Sequence, residues 1–279
     1  MSSRIAISLG ASFLGYATHA GFLARLHELG VRPVAVGGSS AGAVAAGFYA
    51  SGLPVDQVKE VVTSWAFRSA FIRRTPWFTH YIRATFCEPN PGLFKTDAAV
   101  TFLESILGDR QIESLTSPSF LAAVSNLETC RTHFLQSGSL ARAMVASCCV
   151  PTIFQPLQHA GMTCYDGGVA HETPMDPWFE DERVDTIILH RVSHTGGKAP
   201  RMVPFNLINI TASSHAVASE QLLTYRLKLA EMHGKKVIVI NTSHERPALL
   251  SSRQMSSFYE AGAATAEQLF EGDLKALSN

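Results

Sequence analysis

The stretch VAVGGSSAG, residues 34–42, joins an apolar run to the pattern G-x-S-x-G, which centres on Ser40. A run of small residues with helical character follows, from Ala43 to Ala50. A strand, a tight turn that carries a serine, and a helix make up a nucleophile elbow, in which strained backbone projects the hydroxyl. Gly38 and Gly42 suit this turn because a side chain at either position would strike the neighbouring strand or helix. The stretch therefore predicts a nucleophilic Ser40 at a helix N-terminus, although a plain Gly-Ser turn has the same composition.

A second loop of small residues lies one strand earlier in the chain. Residues 4–9 (RIAISL) read as a buried strand, and the loop 10–15 (GASFLG) opens a helix predicted from Tyr16 to Leu29. Strand, helix and the strand at Val34 form a βαβ unit, so the two strands should be parallel neighbours. Both loops would then open at the same edge of the sheet, where α/β proteins place their sites. A nucleotide-binding loop is disfavoured because neither G-x-G-x-x-G nor a Walker sequence is present.

A serine nucleophile needs a base, and Asp166 is the candidate. It precedes Gly167 and Gly168 at the end of a hairpin strand predicted from Gly161 to Tyr165. An aspartate before two glycines is also the composition of an ordinary turn. Burial would raise the pKa of this carboxyl above about 3.9 and make it a better proton acceptor. The residues expected to form an apolar pocket around it are Tyr165, Val169 and Ile153.

Four motifs occur in a fixed order along the chain. The third of them, Ala146–Pro156, reads A-S-x-x-x-P-x-x-F-x-P. Together with the loop at Gly10, the serine turn and the D-G-G sequence, it resembles the patatin-like phospholipases from about Arg4 to Pro177. The resemblance implies a lipid acyl hydrolase that works through a Ser40–Asp166 dyad and an acyl-enzyme. It implies no catalytic histidine, no cofactor and no metal, and its substrate would be a phospholipid or lysophospholipid ester.

The oxyanion loop departs from the pattern of that family, which has three glycines, any residue, a basic residue and a glycine. In this chain Ala11 and Ser12 replace glycines, and Leu14 replaces the basic residue. Backbone amides form such a hole, so only backbone angles restricted to glycine would be lost. The implied amide donors are Gly10, Ala11, Ser12 and Ala41, and the motif glycines are Gly15, Gly38, Gly42, Gly167 and Gly168. Two alternatives stay open: a lipid-binding or regulatory pseudoenzyme, and an acyltransferase that uses the same acyl-enzyme.

Composition and element order predict one domain over residues 1–279. Strand and helix patterns alternate, which favours a three-layer α/β/α fold with a mainly parallel central sheet. The 23 basic residues balance the 23 acidic ones, so no global charge favours nucleic acid as a partner. Five cysteines without a C-x-x-C pattern indicate free thiols. No signal-peptide layout or membrane-length apolar run is seen, so we expect a cytoplasmic protein. The oligomeric state stays open.

The segment 61–87 stands apart because it has four arginines, no acidic residue and many aromatic side chains. One interpretation is a cap over an acyl pocket, or a basic, aromatic face that makes transient contact with a membrane surface. The other is a pair of amphipathic helices that bury their aromatic residues in the core and break near Pro76. Trp77 and Phe78 are the residues that would distinguish the two.

The 11 histidines offer alternative chemistry. A Ser-His-Asp triad would need one of those that follow Asp166, but Ser40 follows only the second strand, earlier than in α/β-hydrolases. His190 and His194 have the spacing of a helical metal pair, yet the first of them ends a predicted strand, which disfavours zinc. His19 is expected to be structural.

Overall fold

A central sheet with helices packed against it organises the chain. The computed structural model describes residues 4–72, 92–115, 117–195, 207–245 and 253–274. The strands are β1 (Ile5–Leu9), β2 (Ala35–Ser39), β3 (Gly92–Phe94), β4 (Ser119–Asn126), β5 (Arg131–Leu135), β6 (Thr152–Phe154), β7 (Leu157–His159), β8 (Met162–Asp166), β9 (Thr186–Thr195) and β10 (Lys236–Glu245). The helices are α1 (Tyr16–Glu28), α2 (Ala41–Ala50), α3 (Val55–Thr63), α4 (Trp65–Phe71), α5 (Asp97–Leu107), α6 (Leu140–Ala146), α7 (Leu207–Met232) and α8 (Arg253–Leu269).

The sheet is parallel on one side and antiparallel on the other. Its order is β10-β9-β1-β2-β4-β8-β7, and β5 also pairs with β4. The strands from β10 to β4 are parallel, whereas β5, β7 and β8 join through antiparallel pairs. The short strands β3 and β6 form a separate parallel ladder. The predicted α/β fold with a mainly parallel sheet is confirmed.

Helices cover both faces of the sheet because alternate residues of each strand point to opposite sides. On β1, Ile7 belongs to the larger core cluster, which also contains side chains of α1, α2 and α8. The neighbouring Ala6 belongs to a second cluster, together with Trp178 and with Leu223 of α7. Both faces of β1 are therefore buried, as its almost wholly apolar sequence requires. None of the helices in the described ranges has the length and apolarity needed to cross a bilayer.

The register of the strands brings three separate parts of the chain to one edge of the sheet. The facing pairs are Leu9 with Gly38, Ser39 with Ala123, and Val124 with Asp166. The loops that follow β1 and β2 therefore open side by side, as predicted from the βαβ unit. β8 runs antiparallel to β4, but its register places its last residue, Asp166, opposite Val124 near the carboxyl end of β4, and so at this same edge.

Two strands are longer than their apolar sequence predicts. Strands expected over 185–190 and 236–240 continue to Thr195 and Glu245, because β9 and β10 pair with each other over ten consecutive residues. Main-chain pairing extends them past the apolar stretch that marks them in the sequence. The helix predicted over 96–107, with Thr96 as its N-cap, is present as α5, but the Thr96 side chain makes no capping hydrogen bond.

Only the first part of the proposed cap segment is described. Residues 73–87, which include Trp77 and Phe78, lie outside the described residues. In α4, Phe67 is buried and packs edge-on against Tyr16, with ring centroids 5.0 Å apart. This one aromatic side chain follows the core-packing alternative, whereas Trp65 is exposed. The cap function of the rest stays a prediction.

Candidate active site

Ser40 occupies a strained turn between β2 and α2. Its backbone angles are φ 53° and ψ −122°, a conformation that side-chain-bearing residues rarely adopt. A Cβ atom at Gly38 would lie 2.2 Å from the carbonyl carbon of Gly42. One at Gly42 would lie 2.2 Å from the carbonyl oxygen of Leu9. Both predicted clashes are confirmed, and the local geometry is that of a nucleophile elbow.

Ser147 holds this turn in place from the C-terminal end of α6. Its hydroxyl oxygen accepts a hydrogen bond from the main-chain N–H of Ser40 at 2.9 Å. The same hydroxyl donates to the carbonyl oxygen of Ala123 at 2.6 Å. Ser147 is wholly buried and so connects the elbow to β4 without solvent. The sequence places Ser147 in the third motif but gives it no function, since its partners lie far away in the chain.

Replacing Ser147 with alanine should destabilise the protein by about 1–3 kcal/mol, because it leaves two buried main-chain groups without partners. The matched control is Ser125→Ala on β4. That hydroxyl is also buried and has no hydrogen-bond partner among the described residues, so its loss should be nearly neutral. Chemical denaturation of both variants measures the difference. Equal stability of the two variants would contradict the support assigned to Ser147.

Asp166 ends β8 in a buried position beside the elbow. Its Oδ1 accepts a hydrogen bond from the Gly168 amide at 2.6 Å, and its own amide donates to the Cys149 carbonyl at 2.9 Å. Oδ2 is buried and has no partner with full hydrogen-bond geometry within the described ranges. Burial raises the pKa of Asp166 to about 6, while hydrogen bonding from the Ser40 side chain and the Gly168 amide opposes the rise. The carboxyl is thus a partly unsatisfied acceptor with a pKa near neutrality.

The surroundings of Asp166 differ from the expected apolar pocket. Tyr165 is buried, but Ile153 is 41% exposed and Val169 is 36% exposed. The thiols of Cys148 and Cys149 interact with the Asp166 carboxyl instead. Burial raises the pKa of each thiol, and the Asp166 charge raises it further. A compact turn and two neutral thiols therefore desolvate the carboxyl.

Two of the four predicted oxyanion donors already have main-chain acceptors. The Gly10 N–H donates to the His190 carbonyl at 3.0 Å, and the Ala11 N–H donates to the Glu172 carbonyl at 2.8 Å. These two amides hold the loop after β1 to the rest of the protein in this conformation. The amides of Ser12 and Ala41 have no acceptor in the part of the chain that the structure describes.

The remaining motif glycines shape the walls of the site. Gly15 faces the Ser12 side chain so closely that a Cβ atom there would lie 2.0 Å from Ser12 Oγ. Gly167 begins a 3-10 turn after Asp166 and donates its N–H to the Ser147 carbonyl at 3.4 Å. Gly168 follows and supplies the amide that binds Asp166. Loop, elbow and D-G-G turn thus meet at one place.

The histidine-based alternatives find no support in the geometry. The His171 ring contacts Arg226 and Asp176, and among the described residues no histidine ring bonds to Ser40. His190 is buried against another histidine and not against a set of acidic or thiol groups. The described ranges contain no group of three or more His, Cys, Asp or Glu side chains arranged to hold a metal ion.

A family model described as patatin-like phospholipase matches residues 7–178, a range that contains Ser40 and Asp166. An uncharacterised NTE family protein of Mycobacterium tuberculosis strain H37Rv is 29% identical over 177 residues, which are 63% of this chain and 46% of that protein. The neuropathy target esterase sws of Drosophila melanogaster is 27% identical over 177 residues, 62% of this chain and 12% of that protein.

The crystal structure of VipD from Legionella pneumophila has the same fold. It superposes with a TM-score of 0.50 at 15% identity, over 96% of this chain and 66% of VipD. The chain spans about half the length of the mycobacterial relatives that it matches.

Proposed function

Since the chain belongs to the patatin-like phospholipase family, we propose that it hydrolyses the acyl esters of phospholipids or lysophospholipids, with Ser40 as nucleophile and Asp166 as base. The observation that carries the proposal is the Asp166 carboxyl. It is buried, and its Oδ2 has no partner with full hydrogen-bond geometry among the described residues. Burial raises its pKa to about 6, and the Ser40 side chain opposes that rise. A serine hydroxyl is a weak nucleophile until a neighbouring base takes its proton.

The reaction proceeds in two steps. Ser40 Oγ attacks the ester carbonyl carbon as its proton passes to Asp166, and Asp166 then protonates the departing alcohol. In the second step Asp166 takes a proton from water, which attacks the acyl carbonyl carbon; the bond to Ser40 Oγ breaks, Asp166 returns the proton to Oγ, and the fatty acid is released. A pKa of about 6 suits both directions of transfer because the carboxyl can gain and lose a proton near neutral pH.

The negative oxygen of the tetrahedral intermediate needs main-chain donors. In this proposal the amides of Ser12 and Ala41 supply them, and the N-terminus of α2 adds its positive dipole end. Each well-placed donor lowers the barrier by roughly 3–4 kcal/mol. The amides of Gly10 and Ala11 instead keep the loop at the right distance through their bonds to His190 and Glu172.

A second candidate function is lipid binding without turnover. The occupied amides of Gly10 and Ala11 favour it, because a hole with two donors in place of four stabilises an oxyanion less. Such a protein would keep the acyl pocket and contact with a lipid surface but would not form an acyl-enzyme.

A fluorophosphonate probe separates the two candidates, since it reacts only with an activated serine. We expect covalent labelling of the wild type, loss of labelling in Ser40→Ala and retention in Ser39→Ala. Ser39 is a fair control because it is the adjacent serine and its hydroxyl is buried without a partner among the described residues. Vesicle binding without any labelling would favour the second candidate function, lipid binding without turnover. A panel of lipids with different head groups and chain lengths, assayed beside Ser40→Ala, would then identify the substrate.

A further inference from the structure

A chain of buried polar side chains runs from the loop after β1 to α8. His19 Nε2 lies 2.9 Å from the Gly10 carbonyl oxygen, and the two Nδ1 atoms of His19 and His190 lie 2.9 Å apart. His190 Nε2 lies 2.8 Å from Thr242 Oγ1 on β10. Thr242 Oγ1 in turn lies 2.8 Å from Thr265 Oγ1, which is 3.0 Å from the Ala261 carbonyl oxygen. All four side chains are buried.

The Gly10 carbonyl fixes the direction of this chain, because a carbonyl oxygen only accepts and His19 Nε2 must therefore carry a hydrogen. Five contacts run between two carbonyl oxygens, but two neutral imidazoles and two hydroxyls carry only four hydrogens. One contact therefore lacks a hydrogen. With every group from His19 to Thr242 donating toward Gly10, that contact is one of the two made by Thr265, whose hydroxyl faces both Thr242 and the Ala261 carbonyl.

The tautomers of both histidines follow from that direction. His19 carries its hydrogen on Nε2 and donates it to the Gly10 carbonyl, so its Nδ1 accepts the hydrogen that His190 carries on Nδ1. His190 Nε2 then accepts from the Thr242 hydroxyl. Neutral rings agree with the surroundings: burial lowers the pKa of His19 to about 3, with the Gly10 carbonyl opposing and His244 adding to the fall. Burial, followed by the neighbouring His19, lowers the pKa of His190 well below its ordinary value.

The Gly10 carbonyl matters because it belongs to the same planar peptide unit as the Ala11 N–H. One end of this peptide is held by His19 and the other by the Glu172 carbonyl. Its orientation sets the direction in which the chain enters Ser12, whose amide is a proposed oxyanion donor. Ser12 Oγ itself lies 3.5 Å from His19 Nε2.

We propose that His19, oriented by His190, is a positioning residue that fixes the Gly10–Ser12 loop so that the Ser12 amide faces the oxyanion. This inference rests on the proposed ester hydrolysis. His19 is wholly buried, and in this proposal it acts through the Gly10–Ser12 loop and not on the reacting atoms. Loss of its hydrogen bond should therefore weaken stabilisation of the transition state and leave substrate binding nearly unchanged.

Three replacements of His19 test the proposal by hydrolysis of a soluble p-nitrophenyl ester. Glutamine places its amide NH₂ near the position of Nε2 and can still donate to the Gly10 carbonyl. Asparagine places its amide near Nδ1, so it can contact only His190, and alanine contacts neither. We expect kcat to fall on the order of 10- to 100-fold in His19→Ala and His19→Asn, with KM changed less than about threefold. His19→Gln should recover most of the loss.

A matched control is His159→Ala on β7. The His159 ring is also buried, and its Nε2 also contacts a carbonyl oxygen, that of Ser137 at 3.0 Å. This variant loses a comparable buried contact away from the loop, so its kcat should stay within about twofold of the wild type. Thermal unfolding of all variants reports how far each one alters stability.

The outcomes separate this proposal from the proposed function. Equal kcat in His19→Gln and His19→Asn, or wild-type kcat in His19→Ala, would overturn the positioning role. Wild-type turnover that persists in Ser40→Ala would overturn the proposed function itself. Nitrogen-15 NMR of the wild type gives a readout that does not depend on whether the variants fold. A hydrogen on His19 Nε2 and on His190 Nδ1 is expected, and a hydrogen on His19 Nδ1 would overturn the proposal.

Discussion

Ser40→Ala should lower kcat for ester hydrolysis on the order of 10³-fold or more, because no acyl-enzyme can form without the hydroxyl. The remaining activity would come from binding and the oxyanion donors alone. Fatty acid release from phospholipid vesicles and hydrolysis of a soluble ester both measure the loss. Ser39→Ala, the adjacent replacement, should keep activity within a few-fold of the wild type. Activity retained in Ser40→Ala would exclude this serine as the nucleophile.

The strained backbone at Ser40 allows a second variant to confirm that the loss is chemical. Glycine adopts a positive φ without steric cost, whereas alanine keeps the penalty of its Cβ atom. Ser40→Gly should therefore be as inactive as Ser40→Ala but more stable by about 1 kcal/mol. Denaturation curves of the two variants test this. A less stable Ser40→Gly would contradict the strain assigned to the observed φ of 53°.

The elbow could be predicted from the sequence because its signal is local. The pattern at residues 38–42 specifies a turn in which a side chain at either glycine would clash with the main chain. In the structure, main-chain atoms lie where those clashes would occur. The apolar pattern of β1 and β2 likewise specifies buried parallel strands, and their register follows. The position of Asp166 beside this edge was implied by the family resemblance. In the structure, the position of Asp166 follows from the register of the antiparallel pair β8 and β4, in which Asp166 faces Val124.

The oxyanion loop could not be predicted to the same depth. The acceptors of Gly10 and Ala11 are carbonyls of His190 and Glu172, which lie more than a hundred residues away in the sequence. No local pattern reveals which amides a distant strand will occupy. The surroundings of Asp166 show the same limit. Ile153 and Val169, which were expected to bury it, are exposed, and the thiols of Cys148 and Cys149 interact with it instead. Tertiary contacts decided both outcomes.

The histidines illustrate a different limit. The sequence analysis expects His19 to be structural, on the basis of its place early in a helix. The structure shows which residues His19 contacts, namely Gly10 and His190. These contacts form only because α1 packs against β9, so the sequence alone could not identify them. The same packing explains why His190, spaced as a metal ligand in the sequence, faces another imidazole.

Asp166→Asn should also lower kcat on the order of 10³-fold, because an amide cannot accept the proton of Ser40. In the wild type, log(kcat/KM) should rise with unit slope up to a pH of about 6 and then level off, since only the ionised carboxyl acts as the base. A steady-state pH series on a soluble ester measures the profile. A midpoint near 4 would show that burial does not tune this carboxyl, and wild-type activity in the variant would remove it from the mechanism.

The same pKa predicts that the buried Asp166 carboxylate lowers the free energy of unfolding. Its pKa is about 6 in the folded state against 3.8 as an unperturbed group, so the folded state binds the proton more tightly. The stability contributed by this proton is complete below the unfolded value and is lost as pH rises through about 6. At pH 8 the buried charge should cost up to about 3 kcal/mol.

Asp166→Asn removes that charge and should unfold at a higher temperature than the wild type at pH 8, with most of the difference gone at pH 4.5. Comparing variant with wild type at each pH cancels the titration of every other group, and the exposed Asp109→Asn should show no such trend. A variant less stable than the wild type at pH 8 would mean that the carboxylate is stabilised where it lies. Such a carboxylate would have little tendency to take a proton from Ser40, so a single unfolding experiment bears on the chemistry as directly as the rate does.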